Sequence, residues 1–291
     1  MARSRITAGL AGLAVAALAL TGCSSSSDAE ATAAPSAEGI AALVPADIAA
    51  DGVISFATEA GYKPNEYIDT DGKTIIGLDI DLANAIAEQL GLTAEFVNAP
   101  FDAIIPGIQS GKYEAGISSF TIKPERMEIV DFVSYYTAGT AWAAPVGSDI
   151  TPETACGKKI AVQQGTVQVQ DIEARSKACT DAGKPAIKIN QYEQQAVIWP
   201  TILSGSNDAT LADSDPVRDG VLSSEGKLAV IGIQYDTAPY GIALPKAKEQ
   251  LAEAVRQAVQ AIMDNGTYAT ILEKWAATSG AIPAAEVNPA L

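Results

Sequence analysis

Residues 118–126 carry the side chains with the most definite chemistry in the chain. The stretch reads Ser-Ser-Phe-Thr-Ile-Lys-Pro-Glu-Arg, with hydroxyl groups at the end of a predicted strand and Arg126 one turn into a helix that begins near Pro124. Hydroxyls, the free N–H groups of a helix start and a guanidinium group are the groups that bind a carboxylate. In the structural alternative, Arg126 pairs with Glu128 or Asp131 on the surface and the serines form a turn.

Two further stretches place polar groups where predicted strands end. Residues 163–166, Gln-Gln-Gly-Thr, join a strand to a helix, and backbone amides at such a junction can bind an anion. Asp213 follows the strand predicted at 209–212, at the edge where open α/β sheets place ligands, and its carboxylate could hold an ammonium group. The structural alternatives are a tight turn at Gly165 and a helix cap at Asp213. Together the three stretches predict a site for a small zwitterion.

The composition of the chain excludes several classes of function. Its 291 residues are enough for about two domains. The 35 acidic residues exceed the 19 basic ones and give a net charge of −16, which would repel a nucleic-acid backbone. The absence of histidine from the sequence excludes histidine triads and imidazole zinc sites. We therefore expect a protein that binds no nucleic acid, no metal and no cofactor.

The N-terminal segment has the pattern of a secretion signal. Two arginines precede an apolar run at about residues 6–20, which is short for a membrane span. The run ends in Leu-Thr-Gly-Cys, which resembles a bacterial lipoprotein signal in which Cys23 is lipidated; the alternative is an ordinary secretory signal with an incidental cysteine. We predict a signal peptide at 1–22 and a flexible tether at 23–50. Without the signal, 17 basic and 35 acidic residues give a net charge of −18.

A lipid on Cys23 would hold the protein on the outer face of the bacterial cytoplasmic membrane. This compartment is oxidising, so the two other cysteines, Cys156 and Cys179, predict a structural disulfide. A redox or metal pair is the alternative, but two cysteines 23 residues apart without histidine make a poor metal site.

Predicted strands and helices alternate twice along the remaining chain. The first set has strands at 53–58, 93–97 and 115–118, with helices starting near Asp81 and at 104–109. The second set has strands at 159–162, 186–189 and 209–212, with a helix at 167–177. Two amphipathic helices follow, with apolar stripes at Leu251, Val255, Val259 and Ile262 and at Tyr268, Ile271, Leu272 and Trp275. The alternation predicts two α/β bodies with mostly parallel sheets.

Six motifs in a fixed order resemble those of one protein family. They lie at residues 58–64 (Thr-Glu-Ala-Gly-Tyr-Lys-Pro), 77–82 (Gly-Leu-Asp-Ile-Asp-Leu), 101–106, 111–115, 122–126 and 164–166. The chain thereby resembles the extracytoplasmic solute-binding proteins of polar amino acid ABC importers (family 3), which have the periplasmic binding protein type II fold. The resemblance extends over about residues 53–282.

The resemblance implies an α/β fold of two lobes with the ligand cleft between them. Lobe I would comprise residues 51–138 and 241–291, and lobe II residues 139–240. The chain would cross between the lobes twice, near 138–139 and near 240–241. A ligand that contacts both lobes favours the closed state, which a membrane transporter would then recognise.

The resemblance also implies a ligand-binding set. Its members are Glu59, Tyr62, Phe101, Ser118, Ser119, Phe120, Thr121, Arg126, Gly165, Thr166, Val167 and Asp213. Arg126 would bind the α-carboxylate of an amino acid, Asp213 would accept its α-ammonium group, and the aromatic residues would surround its side chain. Glu59 stands where the family usually has aspartate and favours a basic or amide ligand such as arginine, lysine, ornithine or glutamine; alternatively, Glu59 pairs internally.

Two other functions occur on the same fold. A cyclic-acid dehydratase would use Glu59 for acid–base chemistry, although the matched carboxylate and ammonium groups favour a binding protein without catalytic residues. A ligand-sensing module would need a partner chain to signal through a membrane receptor. We expect a monomeric, non-enzymatic protein whose partners are a free amino acid, an ABC permease with its ATPase, and the membrane through the lipid on Cys23.

Overall fold

The computed structural model describes residues 37–291, so the predicted signal peptide and Cys23 lie outside the described residues. The strands are β1 Val53–Thr58, β2 Gly61–Tyr62, β3 Glu66–Ile68, β4 Ile75–Ile76, β5 Thr93–Asn98, β6 Ala115–Gly116, β7 Val130–Pro145, β8 Lys159–Gln163, β9 Lys188–Tyr192, β10 Ala209–Asp213 and β11 Leu228–Pro245. The α-helices are α1 Ala37–Ala41, α2 Ala46–Ala49, α3 Leu78–Gln89, α4 Phe101–Gln109, α5 Pro124–Met127, α6 Val167–Asp181, α7 Ile198–Leu203, α8 Ser214–Ser223, α9 Glu249–Asp264 and α10 Thr267–Lys274. Short 3₁₀ helices occupy Gln195–Val197 and Thr278–Gly280.

The main sheet has the strand order β5-β1-β6-β11-β7-β10-β8-β9. At one end β5, β1 and β6 are parallel, and at the other end β10, β8 and β9 are parallel. Strands β2, β3 and β4 form a small antiparallel sheet. The two parallel groups are those expected from the alternation in the sequence, and the α/β fold class is confirmed.

The long strands β7 and β11 join the two parallel groups. They pair with each other antiparallel, and their register shifts between Ile231 and Tyr235, between Tyr235 and Ala238, and at Tyr240–Gly241. The first part of β11 pairs with the end of β7, whereas its last part also reaches β6 at Ala243. Both crossover positions expected from the sequence therefore fall inside these two strands.

The core of the first parallel group contains helices α3, α9 and α10. The α9 stripe of Leu251, Val255, Val259 and Ile262 is buried as predicted. In α10, Tyr268 and Leu272 are buried, while Ile271 and Trp275 are partly buried and pack against the same core. These helices therefore cover the sheet through apolar stripes, as the spacing predicts. None of the helices in residues 37–291 is long and apolar enough to cross a membrane.

Helix α3 begins earlier than the sequence suggests. The sequence predicts a start near Asp81, but the helix begins at Leu78 directly after Gly77. A side chain on Gly77 would meet the carbonyl oxygen of Asn65 at 2.0 Å, and its φ of +144° lies outside the usual range of L-residues. Asp81 instead accepts hydrogen bonds from the side chains of Lys274 and Trp275 on the C-terminal side of the chain.

The described part of the predicted tether differs from the prediction. Residues 37–41 and 46–49 form α1 and α2, and Ile40, Val44 and Ile48 are buried in the core of the first parallel group. Ile40 lies in α1, Ile48 in α2 and Val44 between the two helices, and all three pack against the same core. The folded body therefore begins at or before residue 37.

The predicted disulfide between Cys156 and Cys179 is confirmed. It connects the segment before β8 to α6, and Cys179 is buried in the core of the second parallel group. A bridge over 23 positions restricts the unfolded chain, which typically stabilises a protein by about 3 kcal/mol.

Candidate functional site

A cavity lies at the carboxyl ends of strands from both parallel groups. Its lining residues are Glu59, Tyr62, Glu66, Phe101, Ser118, Ser119, Thr121, Arg126, Gln163, Thr166, Val167, Gln168 and Asp213. Residues that follow β1 and β6 form one side, and the ends of β8 and β10 with the start of α6 form the other. Open α/β sheets bind their ligands at this edge.

Arg126 is the cation of the cavity, and only 8% of its surface is exposed. Its guanidinium group donates to the backbone carbonyls of Thr121 at 2.9 Å and Gly165 at 3.0 Å. It stacks over the ring of Phe101 at 5.3 Å. Burial lowers the pKa of Arg126 to about 10, so it remains charged at neutral pH. Within residues 37–291 no carboxylate forms a salt bridge with it, so donors remain for a ligand carboxylate.

Asp213 ends β10 at the opposite wall of the cavity. It occupies the N-cap position of α8, yet its side chain makes no capping hydrogen bond. The carboxylate instead accepts hydrogen bonds from Tyr62 at 2.9 Å and from Gln168 at 2.7 Å. Burial raises the pKa of Asp213, while these donors oppose the rise. The carboxylate therefore faces the cavity, where an ammonium group could reach it.

Glu59 follows β1, and its carboxyl group is buried, with 1% of the residue exposed. One oxygen, Oε2, accepts a hydrogen bond from Gln163 at 2.9 Å. The other oxygen, Oε1, has no partner among the described residues. Burial raises the pKa of Glu59 to about 7, and the nearby charge of Glu193 adds to this rise. The free oxygen is thus positioned to accept a hydrogen bond from a ligand.

Ser118 and Ser119 connect the cavity to buried acids behind it. The hydroxyl of Ser118 accepts a hydrogen bond from the backbone N–H of Glu59 and donates one to Glu66, both at 3.0 Å. The backbone N–H of Ser119 donates to Asp79 at 2.8 Å. Ser119 has a φ of +52°, which is uncommon for a residue with a side chain and is typical of constrained sites. Strand β6 ends at Gly116, two residues before the end predicted from the sequence.

The structure brings ten of the twelve predicted ligand-binding residues to this cavity. The two others lie next to it. Phe120 is fully buried behind Phe101, with ring centroids 4.8 Å apart, so the expectation that Phe120 surrounds the ligand differs from the structure. Gly165 contributes its carbonyl oxygen to Arg126. Its φ of +76° suits glycine, and an added Cβ would lie 2.8 Å from Cβ of Asp102.

Three lining residues were missed by the sequence analysis. Gln163 belongs to the strand–glycine–helix junction recognised in the sequence, but its side-chain role depends on the position of Glu59. Gln168 lies in the first turn of α6 and hydrogen-bonds to both Asp213 and Thr140. Glu66 lies on the short strand β3, where no sequence signal distinguishes it from a surface acid.

The cavity is lined by more acidic than basic side chains. Arg126 is the only cation among the lining residues of the described chain, whereas Glu59, Glu66 and Asp213 are acids. No group of three or more histidine, cysteine or acidic residues within residues 37–291 has the arrangement of a metal site. The cavity is therefore suited to a ligand with one carboxylate and more than one positive group.

Comparison with known proteins identifies the family. Residues 54–278 match the bacterial extracellular solute-binding proteins, family 3, and the chain belongs to this family. The match covers the strands and helices from β1 to the end of α10. The two-lobed periplasmic binding protein type II fold is thereby confirmed, and members of the family are extracytoplasmic solute-binding proteins.

Relatives with established names bind amino acids. The arginine-binding protein ArgT of Corynebacterium glutamicum is 35% identical over 252 residues, which are 86% of this chain and 82% of that protein. A putative ABC transporter arginine-binding protein of Escherichia coli is 30% identical over 228 residues, 76% of this chain and 90% of its own. These relatives are binding proteins of transport systems rather than enzymes, in agreement with the non-enzymatic function predicted from the sequence.

Solved structures agree with the sequence relatives. An ancestral arginine-binding protein bound to arginine is 35% identical, with a TM-score of 0.72 over 77% of this chain and 98% of that chain. An ancestral arginine-binding protein bound to glutamine is 33% identical, with a TM-score of 0.71 over 77% and 97%. The protein is therefore an amino-acid-binding protein of the class that serves ABC transporters.

Proposed function

We propose that the protein binds a cationic amino acid, with arginine as the first choice, and delivers it to the permease of an ABC importer. The charges of the cavity carry this proposal. Arg126 matches the α-carboxylate, Asp213 matches the α-ammonium group, and Glu59 matches a positive group at the far end of the ligand. Arginine, lysine and ornithine carry these three charges, whereas a neutral amino acid leaves Glu59 without a charged partner.

Arginine suits the end of the cavity near Glu59 because its side chain carries several hydrogen-bond donors. A guanidinium group has five N–H donors in a planar arrangement, and the free Oε1 of Glu59 is a buried acceptor that lacks a partner. Phe101 and Tyr62 also line the cavity, and their rings would lie along the apolar part of the ligand. The relatives named for arginine support the same choice, and the ancestral protein bound to glutamine supports an amide ligand as the second choice.

We assign the remaining head-group contacts by the same reasoning. Thr121 would contribute a hydrogen bond at the ligand head, beside Arg126, whereas the hydroxyls of Ser118 and Ser119 are bonded to Glu66 and would support the wall of the cavity. Thr166 and Val167 lie at the start of α6, where the first N–H groups of a helix have no partner within the helix. These N–H groups would join Arg126 in binding the α-carboxylate.

Ligand binding would be coupled to closure of two lobes. We assign residues 51–138 and 241–291 to lobe I and residues 139–240 to lobe II. The long strands β7 and β11 pass between them, and the register shifts in β11 support bending there. Around the cavity, hydrogen bonds from Tyr62 to Asp213 and from Gln163 to Glu59 connect the two groups. A ligand held by both lobes would favour this closed arrangement.

Localisation at the membrane follows from the N-terminal sequence. We propose that Cys23 is lipidated after removal of residues 1–22 and that the chain is anchored on the outer face of the cytoplasmic membrane. The tether would then lie between Cys23 and α1. Incorporation of a labelled fatty acid in cells, and its loss in Cys23→Ser, is the expected result. Equal labelling of both proteins would contradict the anchor.

A thermal-shift screen tests the ligand class. The protein without residues 1–22 would be heated with each of the twenty amino acids, ornithine and citrulline. Ligand at 100 times its Kd adds about 2.7 kcal/mol to the free energy of unfolding, so arginine, lysine or ornithine should raise the Tm. Citrulline, which resembles arginine without its charge, is the matched control. A shift with acidic or small apolar amino acids alone would contradict the proposal.

A further inference from the structure

Three buried carboxyl groups lie together at the distal end of the cavity. We call Glu59, Glu66 and Asp79 the acid cluster; each is at most 1% exposed. Ser118 links the first two, since it accepts from the N–H of Glu59 and donates to Oε1 of Glu66. The hydroxyl of Ser119 lies between Oε2 of Glu66, at 3.3 Å, and Oδ2 of Asp79, at 3.4 Å.

No cation within residues 37–291 balances the acid cluster. None of the salt bridges involves its three members. The other titratable groups that face it are Tyr62 on β2, Tyr135 on β7 and Glu193 after β9. Arg126 and Asp213 face each other elsewhere in the cavity. Three adjacent negative charges without a counter-ion would be costly in a buried site, so the cluster must hold protons.

The hydrogen bonds indicate where the protons are. Asp79 accepts from Tyr135 at 2.7 Å and from the N–H of Ser119, which favours its charged form. Burial raises the pKa of both acids; the charge of Asp79 raises the pKa of Glu66 further, whereas the hydrogen bonds to Asp79 oppose the rise there, so we assign the shared proton to Glu66. Glu59 has one partner, Gln163, and one oxygen without a partner, and the residue lines the cavity. A proton on Glu59 is therefore the one that a ligand can replace.

We propose that this site takes up the positive side chain of its ligand in exchange for a proton on Glu59, so that preference for cationic over neutral amino acids increases with pH. The inference rests on the proposed function, because it assumes an amino acid whose side chain reaches Glu59. The proton passes from the Glu59 carboxyl to the solvent, and the ligand cation replaces it beside the carboxylate. Glu66 retains its proton beside Asp79.

The expected pH dependence follows from the pKa of Glu59, which burial raises to about 7 in the free protein. A cation beside Glu59 lowers this pKa, so binding should release about half a proton at pH 7, nearly one at pH 6 and about 0.1 at pH 8. The Kd for arginine should therefore fall by up to about tenfold per pH unit between pH 5 and 7, and be constant above about pH 8. Citrulline has the same α-groups without the charge, and its Kd should vary little.

Titration calorimetry in two buffers of different ionisation enthalpy measures the released proton directly. The protein without residues 1–22 would be titrated with arginine and with citrulline at pH 6, 7 and 8. Glu59→Gln should abolish proton release and remove the pH dependence of the arginine-to-citrulline affinity ratio. Glu114→Gln is the matched control, because Glu114 is half-buried outside the cavity and accepts a hydrogen bond from Ser55; release should persist in it.

The outcomes separate this inference from the proposed function. Arginine binding with a constant affinity ratio and no proton release would overturn the inference and leave the proposed function intact. Release that persists in Glu59→Gln would overturn the assignment of the proton to Glu59. If Glu59→Gln does not fold, the affinity ratio of the unmodified protein between pH 5 and 8 decides the question. Absence of arginine binding at every pH would overturn the proposed function itself.

Discussion

The hydroxyl of Tyr62 makes two hydrogen bonds to Asp213. It donates to Oδ2 of the carboxylate at 2.9 Å and accepts from the backbone N–H at 3.1 Å. The two residues are 151 positions apart in the chain and lie on β2 and β10. Burial raises the pKa of Tyr62 well above its ordinary range, so the hydroxyl keeps its proton. This contact joins the two proposed lobes beside the carboxylate assigned to the ligand ammonium group.

Tyr62→Phe tests the importance of this contact. The variant keeps the ring but leaves the N–H and one carboxylate oxygen of Asp213 without their partner, which costs about 1–2 kcal/mol. We expect arginine to bind about tenfold more weakly in titration calorimetry. Tyr67→Phe is the control, since its ring packs against Trp275 and its hydroxyl lies outside the cavity. Equal affinities of the two variants would contradict the role of Tyr62.

Gly165→Ala tests closure around the ligand. An added Cβ would lie 2.8 Å from Cβ of Asp102, across the cleft between the proposed lobes. We expect the closed arrangement to be disfavoured and arginine affinity to fall by at least about tenfold, because closure and binding are coupled. Gly111→Ala has the same φ of +76° with nothing within 4 Å of the new atom. It should lose stability by a similar amount and keep its affinity; a loss of affinity in both variants would show that closure is not the cause.

The buried helices at the N-terminal end make a prediction about stability. Ile48 is 1% exposed in the core, so Ile48→Ala should lower the free energy of unfolding by about 2–5 kcal/mol. Ile129→Ala, at a position that is 37% exposed, should cost less than about 1 kcal/mol. Urea unfolding measures both values. Equally small losses would show that this segment is detached in solution, as the sequence suggested.

The raised pKa of Glu59 also predicts how the free energy of unfolding of the ligand-free protein depends on pH. Its pKa is about 7 in the folded protein against an ordinary value of 4.5. Between these values the folded protein retains a proton that the unfolded chain has released, so this group makes the free energy of unfolding fall as pH rises. From pH 5 to pH 8 the contribution is about 2–3 kcal/mol.

Glu59→Gln cannot titrate, so it should gain stability relative to the unmodified protein over this pH range. Urea unfolding of both proteins at pH 5 and pH 8 measures the difference. A difference that is the same at both pH values would mean that Glu59 has an ordinary pKa in the folded state.

The sequence predicted the fold and most of the cavity because the relevant signals are local. Alternating strands and helices identified the α/β class, and hydroxyls followed by Arg126 identified one side of the cavity. Asp213 was recognised from its place at a strand end. Each of these residues lies next to the strand end or helix start that positions it, so a short sequence pattern is sufficient to identify it.

The remaining features depend on contacts between distant segments. Glu66 lies on β3, which pairs with the two-residue strand β2. This pairing brings Glu66 within hydrogen-bond distance of Ser118, 52 positions away. Phe120 was placed at the ligand, but packing against Phe101 holds it behind the cavity wall. The tether was predicted to extend to residue 50, which is too far. Ile40, Val44 and Ile48 stand among small and acidic residues, so no single one of them indicates a buried segment.

The central claim is that Arg126 and the acids opposite it select an amino acid with a positive side chain. Arginine titration of the unmodified protein, Arg126→Ala and Arg256→Ala tests it most directly, since Arg256 pairs with Glu253 on helix α9 away from the cavity. We expect saturable binding with one site in the unmodified protein and in Arg256→Ala. In Arg126→Ala the affinity should fall at least a hundredfold, equivalent to about 2.7 kcal/mol. Undiminished binding by Arg126→Ala, or no binding by the unmodified protein, would contradict the account.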